Sequence, residues 1–352
     1  MALYRAAVPP KAVPPKGVLT IGLDVGGTGA RGAVALGGKT VATARTDLPT
    51  RIGAGGIDAA NAVAVLTPLI SELLAAAPPG AGDVGAIAAG LTGFALLGDD
   101  LRVRLPQALA DASGAGMVVV CSDMLTSYAG ALGLRGGAVI AAGTGAVALG
   151  ADWRGAWQRV DGWGYLLGDC GGGSWLGRAG LQAALRADDG RPGGSRTLLA
   201  ALRERFGEPA ALVRDLAGRD DRAGVMAGFV PSVTAAAADG DRIATGLLAD
   251  AGAQLAESAL AALPKRAPRE VAYTGNLFQA GPALWDAFST AVAAGATLCD
   301  PAGTAVEGAL RLAGAALTGE LPPDAPLEFF TPSPVDHELR VPVDGESTPG
   351  TS

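Results

Sequence analysis

The chain has 352 residues, 49% of them hydrophobic, with a formal net charge of -7 and a pI of about 4.9. That length suits two lobes of about 150 residues better than one core. The acidic balance argues against nucleic acid or an anionic membrane as partner, since both select basic surfaces, and no apolar run reaches the roughly 18 residues that span a bilayer.

Residues 1–16, with two Pro-Pro pairs and no signal-peptide core, read as a flexible Pro-rich arm. Residues 18–25 (VLTIGLDV) read as a buried strand, followed by strands over 30–36 and 39–46 with Gly37-Gly38 as a hairpin turn. A Rossmann unit would place a helix after the first glycine turn, and this opening does not. A helix is expected over 56–77, ending at Pro78-Pro79-Gly80, then a strand at 84–90, a helix near 101–112 and a strand at 117–121. Ser122 is placed to cap a helix over 123–133.

The pattern then repeats. Strands at 138–142 and 145–150 flank the turn Gly143-Thr144-Gly145, with another strand near 156–160. A glycine-dense loop at 161–174 leads into a helix over 175–187, and 196–263 reads as helical with breaks near Gly207, Gly218 and Pro231. A strand at 270–274, helices at 281–294 and 303–318, and a Pro-rich polar tail from Leu321 complete the chain. Two strand-turn-strand openings suggest two related lobes with ligand in the cleft between them.

Five motifs carry chemistry. In Asp24-Val25-Gly26-Gly27-Thr28-Gly29, glycines let the backbone approach phosphate oxygens, Thr28 adds a donor and Asp24 offers a hard oxygen to Mg2+. Alone, such a turn reads first as a plain hairpin; a second one at Ala142-Gly143-Thr144-Gly145-Ala146 makes a clamp on one polyphosphate the more specific reading. Asp123, at a strand-to-helix junction, would stay ionised at the positive end of the helix and could take a proton from a substrate hydroxyl, or simply cap the helix. The loop from Gly162 to Gly173 pairs Trp163, an apolar face, with Asp169, an acceptor for hydroxyls, as a sugar site would. The turn at Thr274-Gly275-Asn276 could admit a flat base close to the backbone.

The rest of the composition narrows the chemistry. His337 is the single histidine and sits in the polar tail, so acid–base work falls to Asp or Glu rather than imidazole. Cys121, Cys170 and Cys299 are far apart and form no CxxC, which suits a reducing cytoplasm and gives no zinc or iron–sulfur signature.

Taken together, these motifs resemble the N-acetylglucosamine kinase branch of the actin/hexokinase-like superfamily, a branch that includes ATPases of the BadF/BadG/BcrA/BcrD type. The resemblance runs in order from about 18 to 318, and GWGYLLGDCGGGSWLG at 162–177 is similar to the branch's GWGxxxGDEGSxxxI segment. It implies an α/β, two-lobed actin-like ATPase (ribonuclease H-like) fold, with mixed sheets, flanking helices and an interlobe cleft. The lobes would comprise 17–122, joined by helix 303–318, and 123–302, with a flexible tail at 321–352. It implies ATP and Mg2+ as cofactors: Gly26, Gly27, Thr28, Gly143, Thr144 and Gly145 on the phosphates, Gly275 and Asn276 near adenosine, and Asp24 on the metal. Asp123 would be the catalytic base, and Asp123, Gly162, Trp163 and Asp169 would hold the sugar. The implied reaction converts N-acetylglucosamine to its 6-phosphate in a cytoplasmic homodimer.

Three departures stand out. Gly29-Ala30 replaces the family's Lys-Thr or Arg-Ser, with Arg31 one residue on; Thr274-Gly275 replaces a glycine pair; and Cys170 replaces the Glu after Asp169. The last leaves the sugar open among glucosamine, N-acetylmuramic acid and N-acetylmannosamine. A reading of another class is an ATPase that drives electron transfer in a CoA-ester reductase or dehydratase through a cysteine-held iron–sulfur cluster. A non-catalytic sugar sensor would lack Asp123, and the zinc-bearing bacterial sugar kinases would have a cysteine cluster and a site histidine.

Overall fold

In a computed structural model, the structure describes residues 17–27, 29–50, 52–53, 56–94, 99–322 and 324–332. The expected arm, Thr28 and His337 therefore lie outside the described residues.

The first half opens as an antiparallel meander of β1 (Leu19–Gly26), β2 (Gly29–Leu36) and β3 (Lys39–Thr46). A small ribbon, β4 (Ile52–Gly53) with β5 (Gly56–Ile57), precedes α1 (Ala59–Ala75). The helix starts three residues later than its periodicity suggests, because the Asp58 side chain accepts the Asn61 N–H at 2.7 Å and sets the N-terminus there. Then come β6 (Val84–Leu91), α2 (Asp99–Ser113) and β7 (Met117–Ser122). β6 runs parallel to β1 and β7 parallel to β6, which gives the order β3-β2-β1-β6-β7. Central strands covered on both faces need near-continuous apolar sequence, and Leu19, Ile21, Leu23 and Val25 of β1 are all buried.

The second half repeats this plan. After α3 (Asp123–Leu132) come β8 (Gly137–Ala142), β9 (Ala146–Ala151) and β10 (Trp157–Asp161), an antiparallel meander. A helical block follows: α4 (Gly173–Asp188), α5 (Arg196–Phe206), α6 (Pro209–Ala217), α7 (Arg222–Ala227), α8 (Val230–Ala238) and α9 (Arg242–Ala261). β11 (Glu270–Thr274) runs parallel to β8 and leads through a 3₁₀ turn (Asn276–Gln279) to α10 (Pro282–Ala293). β12 (Thr297–Cys299) then pairs parallel with β11, giving the order β10-β9-β8-β11-β12. Each half therefore holds three antiparallel strands followed by two parallel ones. The glycine turns at 26–29 and 143–145 occupy the same first hairpin in the two sheets.

The last helix, α11 (Ala305–Thr318), returns to the first sheet, where a Cβ on Gly22 of β1 would stand 2.7 Å from the Leu310 nitrogen. α11 also crosses α3 at small residues: a Cβ on Gly130 would collide with the Thr304 carbonyl, and one on Gly308 with the Thr126 carbonyl. The two helices share a core with β6 and β7 on one side and β8, β9 and β11 on the other, so they bridge the sheets. Arg311 reinforces the crossing by donating to the Ala129 carbonyl at 2.7 Å and the Gly130 carbonyl at 2.6 Å, near the C-terminus of α3.

The expected tail from Leu321 is corrected by β13 (Leu327–Phe330), which pairs antiparallel with β7 as a sixth strand of the first sheet. The Pro-rich composition around it hides an apolar Leu-Glu-Phe-Phe segment, which covers the open edge of β7 and packs Phe330 on the first core. Arg102 of α2 pairs with Glu328 at 3.3 Å to hold it there.

Candidate active site

Two carboxylates lie on β1 and directly after β7, the strands of the first sheet that flank β6. Asp24 sits on β1 opposite Gly90 of β6 and Arg31 of β2, and Asp123 is the first residue of α3. Ser122 caps that helix, its hydroxyl accepting the Leu125 N–H at 3.4 Å. Thr92, the residue after β6, donates its hydroxyl to Asp123 Oδ2 at 2.6 Å. Gly90 is glycine for a local reason: a Cβ there would collide with the Thr126 hydroxyl, on the first turn of α3.

Packing adds to the electrostatics a contribution that the sequence did not show. Burial pushes the Asp123 carboxyl above its ordinary range, and it outweighs the Thr92 hydrogen bond and the backbone N–H groups of the helix end, which act the other way. Asp24 is pushed up to about 6, first by burial and then by the Asp123 charge, with Arg31 opposing. Desolvation is thus the largest influence on the Asp123 pKa, ahead of the hydrogen bonds at the helix end. A carboxyl tuned upward is a stronger base once ionised, as proton abstraction near neutral pH requires.

The second glycine turn is anchored from behind. Gly173 and Ser174, the first residues of α4, donate their N–H groups to the Gly143 and Thr144 carbonyls at 2.8 and 2.7 Å. A Cβ on Gly143 would meet nothing within 4 Å, and one on Gly26 of the first turn only the Gly29 carbonyl at 3.8 Å. Both turns thus leave open space beside a bare backbone. The Ser174 hydroxyl is buried and has no hydrogen-bond partner among the described residues. On the far side Thr50, buried, ties the first turn by donating to the Gly26 carbonyl at 2.8 Å.

The glycine-dense loop meets this second turn directly. A Cβ on Gly145 would lie 2.5 Å from Asp169 Oδ2, and the Asp169 carboxylate accepts the Gly164 N–H at 3.3 Å and the Ala146 N–H. Burial raises the Asp169 pKa, and Asp161 adds to the shift. Trp163 is 62% exposed, with the Arg159 guanidinium 5.0 Å from its ring centroid. Leu166 and Leu167 are exposed too, while Tyr165 and Trp175 pack against the second core, so the loop is pinned at its base and open at its tip. Gly162 adopts φ +72°, with no room for a Cβ beside Val147.

Gly275 has φ +102°, and a Cβ there would collide with the Ala142 carbonyl, which places this turn against the residue preceding Gly143. Asn276 follows, exposed, on the 3₁₀ turn that also carries Phe278, whose ring is 5.1 Å from Tyr273 and 4.8 Å from Phe288. The structure thus gathers Gly143, Thr144, Gly145, Asp169, Gly162 and Gly275 around one hairpin of the second sheet, and Asp24, Gly26, Gly27 and Asp123 around the first. Thr92, Thr50 and Asp161 were not singled out in the sequence. Thr92 and Asp161 each follow or end a strand, which is where such signals sit.

The residues fit ATP and a divalent cation. Open backbone at Gly26 and Gly143 suits phosphate oxygens. Asp24 and Asp123 each suffer from burial, and Asp24 also from the Asp123 charge, costs that a hard cation at Asp24 would offset. Among the described residues no three His, Cys, Asp or Glu gather to hold a metal, so such an ion would complete its shell with water and phosphate oxygens. Cys121 is fully buried in β7, and Cys170 is half-buried beside Asp161. Among the described residues no helix is long and apolar enough to cross a membrane.

Two sheets of the same strand order, each with a glycine turn in its first hairpin, define the actin-like ATPase class of α/β proteins. Within it the chain belongs to the BadF/BadG/BcrA/BcrD ATPase family, whose model matches residues 21–313. A solved structure assigned as an N-acetylglucosamine kinase from Chromobacterium violaceum is similar at 29% identity and TM-score 0.64, over 85% of this chain and 99% of that one. A ROK-family glucokinase from Streptomyces griseus, solved with glucose and AMPPNP, shares the fold at 21% identity and TM-score 0.50, over 84% of this chain and 98% of that one. An N-acetylmuramic acid/N-acetylglucosamine kinase from Clostridium acetobutylicum is 34% identical over 84 residues, which are 24% of this chain and 27% of that protein. The chain thus matches about a quarter of the length of that curated relative.

Proposed function

We propose that the protein is an ATP-dependent amino-sugar kinase that phosphorylates N-acetylglucosamine, or a close analogue such as N-acetylmuramic acid, at its 6-hydroxyl. The observation that carries this reading is the Asp123 carboxylate. It opens a helix bridging the two sheets, holds a hydrogen bond from Thr92 and lies close enough to Asp24 for its charge to raise that residue's pKa. A hydrolase needs a water there; a kinase needs a base aimed at a substrate hydroxyl, and a deeply seated acid of raised basicity serves that purpose.

In this reading the chain forms two lobes, 17–122 with α11 and 123–302, with the site between them. Gly26, Gly27, Thr28, Gly143, Thr144 and Gly145 cradle the phosphates, and Gly275 with Asn276 borders the base. Gly162, Trp163 and Asp169 hold the sugar, and Asp123 takes the proton of the attacking hydroxyl. Mg2+ at Asp24, when bound, would neutralise phosphate charge. Positioning and charge stabilisation supply most of the rate, and lobe closure excludes water. The names of the Chromobacterium and Clostridium relatives support the amino-sugar class.

The test is coupled ADP release across a panel of about twenty sugars, with glucosamine, N-acetylmannosamine and plain hexoses as controls. Release that depends on an N-acetylated amino sugar supports the reading. Release independent of every sugar, together with an iron–sulfur cluster in anaerobically purified protein, would replace it with the electron-transfer ATPase.

A further inference from the structure

The acid ending β10 has no role in the account above, yet it organises the loop beside the second glycine turn. Asp161 Oδ1 accepts the Asp169 N–H at 2.7 Å, and Oδ2 accepts the Cys170 N–H at 2.7 Å. The Cys170 thiol lies beside the same carboxylate. Asp161 and Asp169 both adopt left-handed backbone, at φ +60° and +55°, a conformation that costs a non-glycine residue and persists only where its surroundings enforce it. Gly168 has no Cβ for the same reason: one would collide with Asp161 Oδ1. Asp169, so placed, leans on Gly145 and accepts the Gly164 and Ala146 N–H groups. A single carboxylate thus fixes the backbone of the residue that links the loop to the phosphate turn.

We propose that Asp161 is a positioning residue for substrate binding, and that the junction between loop and turn requires one carboxylate, which this chain supplies from β10 instead of from position 170. The inference rests on the amino-sugar-kinase reading for its substrate, but its geometry stands apart from it. Cys170 touches the Asp161 carboxylate, so an acid at 170 would face a like charge with Asp161 present and would occupy vacated space with Asp161 removed. The two positions should therefore be coupled, with one acid better than two or none.

The experiment compares D161G, C170E and D161G/C170E with the parent protein. Glycine at 161 keeps the left-handed backbone without strain and removes only the acid. With the sugar that the parent phosphorylates, D161G should raise the sugar KM roughly tenfold or more while the ATP KM stays within about twofold. C170E should also raise the sugar KM, and D161G/C170E should return it to within about threefold of the parent. A double variant no better than D161G, or a D161G indistinguishable from the parent, overturns the proposal. Amide exchange at 169 and 170 and the alkylation rate of Cys170 in D161G give readouts that need no turnover. Both should accelerate in D161G even if no sugar proves to be a substrate, which would sink the kinase reading alone. Unchanged exchange and alkylation would sink the positioning role.

Discussion

The Thr92 hydroxyl donates to Asp123 Oδ2 at 2.6 Å, joining the residue after β6 to the residue that opens α3. This bond favours the ionised carboxylate against the burial that opposes it. Thr92→Val removes it, so Asp123 becomes harder to ionise. A hydrogen bond to a charged group contributes about 1.5–3 kcal/mol, which corresponds to roughly one pH unit or more. Because the base must be ionised to act, the acid limb of the kcat/KM profile should move to higher pH by about that amount. A profile that stays in place would contradict the role assigned to Thr92.

Asp123→Asn keeps the shape of the side chain and removes the base. Turnover should fall by about 10²–10⁴, the usual contribution of a positioned general base. ATP affinity, read by calorimetry, should change little. Unchanged turnover would exclude Asp123 as the base.

Asp24 gives a pH-dependent stability effect. Its pKa is 3.8 in an ordinary setting and about 6 in the fold, so between these values the folded state binds more protons than the unfolded one. Stability therefore falls as pH rises through that window, and above about 6 the full cost is present, at most about 3 kcal/mol. Asp24→Asn should raise the Tm at pH 8 and leave it nearly unchanged at pH 4, while lowering turnover. Thermal melts at the two pH values check the sign; a Tm loss at pH 8 would contradict it.

Gly275→Ala tests the turn beside Ala142. The backbone there, at φ +102°, suits glycine alone, and the obstacle to a Cβ is the Ala142 carbonyl, which cannot swing aside as a side chain could. The variant should lose about 2–4 kcal/mol of stability or shift the turn, and weaken ATP binding in either case. Melting curves with and without ATP would show the loss.

Much of the fold was legible in residue order, because buried strands, glycine turns and the Ser122 cap are local signals. The two hairpin turns and Asp123 fall where the sequence placed them. β13 was hidden because its neighbours are Pro-rich, and pairing with β7, some 200 residues away, is not a local property. The upward pull on the Asp123 pKa was not legible for a related reason: the helix end is visible in sequence, whereas its desolvation depends on packing. Thr92 and Asp161 gain their roles only through contacts across the fold, with Asp123 and with the Asp169–Cys170 backbone. Cys170 was read as a departure from the family's Glu that leaves the sugar open; in the structure Asp161 of β10 accepts its backbone N–H.

The central claim is transfer of the γ-phosphoryl group to a sugar hydroxyl, and phosphorus NMR of the reaction with Mg2+, ATP and N-acetylglucosamine or N-acetylmuramic acid tests it most directly. The account predicts a sugar 6-phosphate resonance growing in step with ADP, and its absence in Asp123→Asn. Inorganic phosphate accumulating at the same rate with and without sugar would contradict it.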